Sequence, residues 1–413
     1  MIMNKKCIFT ICAKNYLAQA LTLKESVQCK DPGTDFFLFL SDAPSEDIAN
    51  LELVLLDESW IQGWKQMAFK YDVIEFSTAI KPFCFNKLFR QGYEKVGYLD
   101  PDTYVTSPLD YLWDNLEKYS IILTPHVSNL ELEYTGAVPE DDILHTGVFN
   151  LGFCFMKNNE VGQAIANWWC IRLKDQCYAS GALFVDQKWM NFIPCFFPDD
   201  LLVCHHFGVN VAVWNLHERE LMIEDGEYVI KDNQSGNEYP LLIFHFSGFD
   251  PFNNQLINRR HPQFGVDHFP SFVPIIEEYR SLEYKNGYDK YSKLHYSFNE
   301  FEDGSVITRL HRRIYRARIE HYTDENPFSI DSKYYLDLKG NKLLVKGNPE
   351  DFTKKGMQVE SSQKRRVTIL FEKMAILLKN TVGIKRYISF LSFAQQFVQW
   401  ENQSFFIIKK NNK

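Results

Sequence analysis

Lys95–Thr106 reads KVGYLDPDTYVT. Val96, Tyr98 and Leu99 form a short apolar run of buried-strand character, and Tyr104-Val105 resumes it until Ser107-Pro108. Between the two runs stands Asp100-Pro101-Asp102, the only Asp-x-Asp triplet in the chain. The proline fixes φ and removes a backbone donor, so the strand stops or bends there. Both carboxylates are thereby held where a sheet opens to solvent, the place where open α/β sheets bind ligands. Two hard oxygens side by side suit Mg²⁺ or Mn²⁺, ions that carry substrate phosphates. The same triplet is also an ordinary turn, and about one is expected by chance in a chain of this length.

Working outward, the flanking sequence alternates strand and helix. Cys7–Cys12 (CIFTIC) and Phe36–Leu40 (FFLFL) are apolar runs of strand length, and Leu17–Gln28 between them has helical spacing. Tyr71–Ile74 reads as extended, and Ser77–Gln91 as a helix leading to the Asp-Pro-Asp strand. Beyond it come strand candidates at Tyr119–Leu123 and Val148–Met156, an acidic loop over Glu131–Asp142, and a helix over Gly162–Lys174. A short helix is expected over Val185–Phe192, extended chain over Val203–Leu216 and Glu227–Ile230, and a last strong strand over Leu241–Phe246. This alternation is the α/β signature. From Phe269 the texture becomes helical and richer in charge, with a hairpin expected over Tyr334–Val345 around Lys339-Gly340-Asn341. Two regions follow: an α/β domain over 1–268 and a mainly helical region over 269–413.

A chain of 413 residues with 45% hydrophobic and 24% charged residues buries a large core and is globular in composition. Its net charge of −8 argues against general nucleic-acid binding. The charge is uneven: Phe352–Lys413 carries 12 Lys and Arg against 3 Glu and no Asp. A basic tail on an acidic body points to an anionic partner surface, an acidic membrane leaflet first among them. The 9 cysteines include no C-x-x-C pair, and the N-terminal stretch lacks signal-peptide architecture, so reduced thiols in the cytoplasm are expected. No apolar run has the length a membrane-spanning helix needs.

YLDPDTYV is similar to the YLDxDxxV element of retaining glycosyltransferases with the GT-A fold, glycosyltransferase family 8 in particular. The likeness is an ordered series. AKNY after the first strand resembles the nucleotide-base loop, KPFCFNKLF the helix before the metal strand, and FNLGFCFMK the family's N-x-G strand. VDQKWMN is similar to its D-Q-x-x-x-N helix, and HFSG to the opening of its H-x-x-G-x-K-P element. The resemblance implies a GT-A architecture, a Rossmann-like mixed sheet flanked by helices. It implies that Asp100, Asp102 and His245 bind a divalent ion, Mn²⁺ before Mg²⁺, bridging the diphosphate of a UDP-sugar. Lys14, Asn15 and Tyr16 would contact base and ribose, and Lys81 and Gly248 the phosphates. Asp186 and Gln187 would face the sugar, and Asn150 the sugar or acceptor. Each residue also has a plain structural reading: a satisfied strand histidine for His245, a helix cap for Asp186, a strand-end residue for Asn150, a solvated lysine for Lys81.

The chain departs from that pattern after H-x-x-G, where Phe249-Asp250-Pro251 replaces the family's lysine and proline. Either Arg259, Arg260 or the metal alone must then neutralise a departing diphosphate, or the donor chemistry differs. Ala212–Arg219 (AVWNLHER) has no counterpart in the series. The helices over Val367–Leu378 and Ile384–Trp400 carry apolar stripes (Phe371, Met374, Leu377, Leu378; Tyr387, Ile388, Leu391, Phe397, Trp400) beside Lys373, Lys379, Lys385 and Arg386. Such helices lie in a membrane interface or pack on their own domain. The expected activity is metal-dependent sugar transfer, with retention, to a saccharide or lipid-linked saccharide acceptor, at the inner membrane face. The competing expectations are a sugar nucleotidyltransferase, which would want a Gly-rich first loop, and a binding or scaffold protein with a decayed site.

Overall fold

The computed structural model describes residues 5–253, 255, 257–349 and 361–407. The chain divides into two compact units: Met1–Trp64 with Val73–Tyr296, and Lys65–Asp72 with Ser297–Lys413.

The first unit is built on a mixed six-stranded sheet. Its strands are β1 (Lys6–Cys12), β2 (Asp35–Leu40), β3 (Lys95–Leu99), β5 (Ile121–Pro125), β6 (Phe149–Lys157) and β7 (Leu201–Val203), in the order β2-β1-β3-β6-β5-β7. β6 runs antiparallel to both neighbours and the other pairings are parallel. β4 (Thr103–Val105) leaves the Asp-Pro-Asp turn to pair with β11 (Ile243–His245) in a second, two-stranded sheet, with Thr103 opposite His245. The remaining strands, β8 (Arg219–Glu224), β9 (Glu227–Asp232) and β10 (Glu238–Pro240), form an antiparallel three-stranded sheet.

β1, β3 and β6 are buried almost throughout, as strands covered on both faces must be. One core gathers Ile8, Leu99, Val105, Ile122, Phe153 and Phe155 around the large sheet. A second gathers Tyr104, Phe244 and Phe246 against Phe272, Ile276 and Tyr279. The ring of Phe246 stacks on Tyr279 at 3.8 Å between centroids. This packing ties the helix Val273–Lys285 to the first unit, so the division expected at 268/269 falls inside that unit rather than at its edge.

In the second unit, helices Arg309–Ala317 and Lys333–Gly340 pack on the stretch Lys65–Asp72, and helices Ser361–Val382 and Ile384–Phe397 follow in the chain. The buried Arg312 guanidinium donates to the carbonyls of Ala68, Phe69 and Tyr71 at 3.0, 2.7 and 2.7 Å, and to that of Phe298 at 2.6 Å. Phe69 packs among Phe301, Tyr315, Phe328 and Tyr334.

Two local expectations are corrected. Tyr334–Val345 is not a hairpin: Ser332 caps a helix by accepting from Tyr335 N, and Tyr334, Tyr335 and Leu338 bury the face that helical spacing brings together. Gly340 ends that helix instead of turning a hairpin. Tyr71–Ile74 is not extended; a helix begins at Val73 and buries Glu75, Phe76 and Ala79.

Candidate metal and donor site

The Asp-Pro-Asp turn is held at four points. Asp100 N–H donates to the Gly152 carbonyl at 2.8 Å, and the Asp100 carbonyl accepts from Thr103 N–H at 3.1 Å and Thr103 Oγ1 at 2.7 Å. Phe246 N–H donates to the Asp102 carbonyl at 2.8 Å. The turn therefore links the end of β3, the neighbouring β6 and the end of β11, and brings His245 over the two aspartates. His245 Nε2 stands 3.3 Å from Asp102 Oδ1 and 3.8 Å from Asp100 Oδ2. One ligand atom from each of Asp100, Asp102 and His245 lies within 4.8 Å of the others, the one such group among the described residues. Burial raises the Asp102 carboxyl, but His245 beside it prevails and holds it below the usual carboxylate range. Tyr98 Oη donates to Asp100 Oδ1 at 2.5 Å and fixes that carboxylate's outer oxygen.

The donor set fits a small divalent cation: two carboxylates and an imidazole suit Mn²⁺. The backbone leaves room for the three to meet. A Cβ on Gly152 would lie 2.8 Å from Asp100 Oδ2 and 2.9 Å from His245 Nδ1, so only glycine lets β6 pass beneath both.

Behind the triad lies a buried polar network. Asn210, at φ +54°, meets His245 Nδ1 with its Oδ1 at 3.1 Å and donates from Nδ2 to Thr124 Oγ1 at 2.8 Å and Asn150 Oδ1 at 3.1 Å. Asn150 Oδ1 also accepts from Gly152 N at 3.1 Å, and its Nδ2 lies 3.5 Å from His126 Nε2. Asn150 sits opposite Thr124, where β5 and β6 slip register, and that irregularity turns it toward the network. Burial pushes the His126 ring down to about 4. The ring of Trp214 stands edge-on to both His126 and His245, which gives AVWNLHER a place in the wall of the site.

The residues expected to face the sugar are engaged by the protein itself. Gln187 Oε1 accepts from Leu151 N at 3.0 Å and its Nε2 donates to the Thr146 carbonyl at 3.2 Å. Asp186 is buried with Lys81, whose Nζ lies 2.5 Å from Asp186 Oδ2 and 2.7 Å from the Leu151 carbonyl. Lys81 thus points into the protein rather than out to a phosphate. Burial raises the Asp186 carboxyl and Lys81 works against that rise.

The 3₁₀ turn Lys14–Tyr16 follows β1 directly. Lys14 is buried, with its backbone N–H 3.4 Å from Asp42 Oδ2. Burial raises the Tyr16 phenol, Asp102 adds to the rise, and Arg259 and Arg260 oppose it. Gly248, at φ +70°, lies against the Asn258 side chain, and its carbonyl accepts from Arg259 N–H at 2.9 Å. The chain after HFSG therefore returns to Gly248 at Arg259, and Arg259 and Arg260 are both exposed there. Glu283, on the helix Val273–Lys285, is buried; burial, then Asp102, pushes its carboxyl up to about 8. Asn210, Thr124, His126 and Glu283 carry no local sequence signal, because their roles come from contacts between distant strands and helices.

No protein-family model matches the sequence, and no curated protein matches it. Among solved structures the chain is similar to the WbbM bifunctional glycosyltransferase, at 15% identity over 70% of this chain and 52% of that one, with a TM-score of 0.42. It is similar to the galactosyltransferase LgtC in complex with donor and acceptor sugar analogs, at 17% identity over 67% of this chain and 99% of that one, with a TM-score of 0.38. It is also similar to the glycosyltransferase GlyE of Streptococcus pneumoniae, at 16% identity over 72% of this chain and 67% of that one, with a TM-score of 0.36. The match to WbbM spans about half of that protein's length. These are likenesses of fold at low identity.

Proposed function

We propose that the chain is a metal-dependent glycosyltransferase that moves a sugar from a nucleotide-diphosphate sugar, a UDP-sugar, to a saccharide or lipid-linked saccharide, with retention. The convergence of Asp100, Asp102 and His245 at the open end of β3 carries this reading. These three residues would hold Mn²⁺, which when bound offsets the charge growing on the departing diphosphate. Arg259 and Arg260 would supply the fixed positive charge that the absent lysine does not. Lys14, Asn15 and Tyr16 would form the nucleoside side of the site, and Gly248 would let the backbone approach the diphosphate.

Asp186, Gln187 and Asn150 act in this reading by shaping the sugar side of the site. Their polar atoms hold β6 and the 3₁₀ helix Gln187–Phe192 in register, so a sugar meets a rigid wall. Rigid placement of donor and acceptor supplies much of the acceleration in such transfers. In a retaining reaction the acceptor hydroxyl approaches from the face the diphosphate leaves, so no protein nucleophile is required.

The same reading places the chain at an anionic membrane surface on the cytoplasmic side. No helix among the described residues is long and apolar enough to cross a membrane. The helices Ser361–Val382 and Ile384–Phe397 leave Phe371, Met374, Leu377, Ile388 and Leu391 exposed beside Lys373, Lys379, Lys385 and Arg386. Apolar surface flanked by cations suits anionic headgroups. Residues 352–360 and 408–413 of the basic stretch lie outside the described residues.

Calorimetric titration of a nucleoside-diphosphate panel, with and without Mn²⁺, tests the central claim on wild type and Asp102→Asn. Mn²⁺-dependent binding of one nucleotide, lost in the variant, is expected. Binding indifferent to both the ion and the substitution reduces Asp100-Pro101-Asp102 to a turn. Nucleotide binding without any transfer or donor hydrolysis leaves a scaffold.

A further inference from the structure

We propose that Asn210 is a positioning residue that holds hydrogen on His245 Nδ1, so that Nε2 is the ring nitrogen offered to an ion between Asp100 and Asp102. The inference rests on the metal reading above and adds to it a residue that no motif of the sequence marks.

The polarity of the network is fixed from two ends. A backbone N–H can only donate, so Gly152 N–H, 3.1 Å from Asn150, identifies the facing atom as the amide oxygen. A backbone carbonyl can only accept, so the Val148 carbonyl, 3.2 Å from His126 Nδ1, puts hydrogen on that nitrogen. His126 Nε2 then accepts, and it faces Asn150 Nδ2, which agrees with the first assignment. Asn150 Oδ1 requires a donor from its other neighbour, and Asn210 Nδ2 provides it at 3.1 Å. The second Nδ2 hydrogen goes to Thr124 Oγ1 at 2.8 Å. Only Asn210 Oδ1 remains to face His245 Nδ1, at 3.1 Å, and an oxygen there requires Nδ1–H. Nε2, 3.3 Å from Asp102 Oδ1, is then the nitrogen that faces the two carboxylates and that an ion between them would meet.

The reverse arrangement is penalised. Turning the Asn210 amide over would set two oxygens against each other 3.1 Å apart, beside Asn150. Asn210, Asn150, Thr124 and His245 are 1%, 8%, 2% and 3% exposed, so water has little access to relieve the mismatch. An unmet buried polar group costs about 1–3 kcal/mol, enough to hold one orientation. The backbone reinforces it. Val211 N–H donates to the Ile243 carbonyl at 3.0 Å, and His245 N–H to the Val211 carbonyl at 2.7 Å, which fastens this segment along β11. The positive φ of Asn210 is one that asparagine adopts readily.

The test uses full-length protein labelled with ¹⁵N-histidine and Mn²⁺ titration. In metal-free wild type, long-range ¹H–¹⁵N spectra are expected to show hydrogen on His245 Nδ1. Asn210→Gly keeps the backbone conformation and removes the acceptor. It is expected to lose that fixed pattern and to bind Mn²⁺ about 10- to 100-fold more weakly. Asn210→Asp keeps an oxygen opposite Nδ1 but sets another against Asn150 Oδ1, so it is expected to lose stability and still keep hydrogen on Nδ1, and that spectrum serves in place of the glycine variant should that one not fold. A wild-type spectrum with Nδ1 bare overturns the proposal. So does unchanged Mn²⁺ affinity in a folded Asn210→Gly. Absence of Mn²⁺ binding in wild type refutes the metal reading instead, and the metal-free spectrum then decides the role of Asn210 by itself.

Discussion

Lys81 Nζ lies 2.5 Å from Asp186 Oδ2 beneath the sheet, with 1% and 3% of the two side chains exposed. The same ammonium donates to the Leu151 carbonyl at 2.7 Å and sits 4.1 Å from the centre of the Tyr98 ring. One lysine thus joins the 3₁₀ helix that carries Gln187 to the strand that carries Asn150 and Gly152. Removing one member of such a pair strands the other charge. Lys81→Met is expected to destabilise the fold by about 3–5 kcal/mol, and Asp186→Leu in the same chain to recover part of the loss. Urea unfolding of the single and double variants reads this out. Equal loss in both would mean the pair is packed but not coupled.

Gly152→Ala should act on the metal as well as on the fold. Its Cβ would press between the Asp100 carboxylate and the His245 ring, and the buried ring has nowhere to retreat. Mn²⁺ affinity is expected to fall at least about tenfold, as it does when ligand orientation is disturbed. Calorimetry checks it, with near-ultraviolet circular dichroism confirming that the variant folds.

His126 gives a pH dependence of defined sign. Its folded ring titrates at about 4, below the ordinary value of 6.5, because burial disfavours its charged form. The unfolded chain therefore binds more protons between these values, and stability falls as pH drops through that window. At roughly 1.4 kcal/mol per unit, the loss from this one group reaches about 3 kcal/mol by the lower end. Denaturant midpoints at pH 7 and 4.5 should differ less in His126→Gln than in wild type. Identical differences would assign the acid sensitivity elsewhere.

Arg259 and Arg260 should matter for the nucleotide and not for stability, since both side chains are exposed. Replacing either with alanine is expected to weaken nucleoside-diphosphate binding roughly 10- to 100-fold, the range of one charged hydrogen bond. The salt dependence of binding should also flatten. Titration at two ionic strengths is sufficient. Unaltered binding in both variants would leave the diphosphate to the metal alone.

Arg312→Ala should unfold the second unit first. The change leaves the carbonyls of Ala68, Phe69, Tyr71 and Phe298 without their buried donor. A loss of at least about 3 kcal/mol is expected. Limited proteolysis should cut within 297–349 in the variant before it cuts wild type.

What the sequence disclosed followed the range of the interactions involved. The turn at Asp100-Pro101-Asp102 and the strand before it were legible, because a proline and an apolar run act on their own neighbours. His245 was legible only through a motif, since its distance from Asp102 depends on the pairing of β4 with β11. Lys81 was read as able to reach a phosphate because burial leaves no mark on a lysine within a helix. Asn210 was not found at all: what makes it matter is one partner on β5, one on β6 and one on β11. The hairpin expected at Tyr334–Val345 failed because Gly340 serves equally to end a helix, and the buried tyrosines that settle the matter look like strand residues in sequence.

The stretch Lys65–Asp72 has a consequence for the order of events in synthesis. It is made early, yet the arginine that donates to its carbonyls comes 243 positions after Phe69. At about 5–20 residues per second, roughly 12–50 s pass on the ribosome before that cover exists. Through this interval Phe69 is an apolar side chain waiting for its neighbours, and chaperone capture of nascent chains should centre on it.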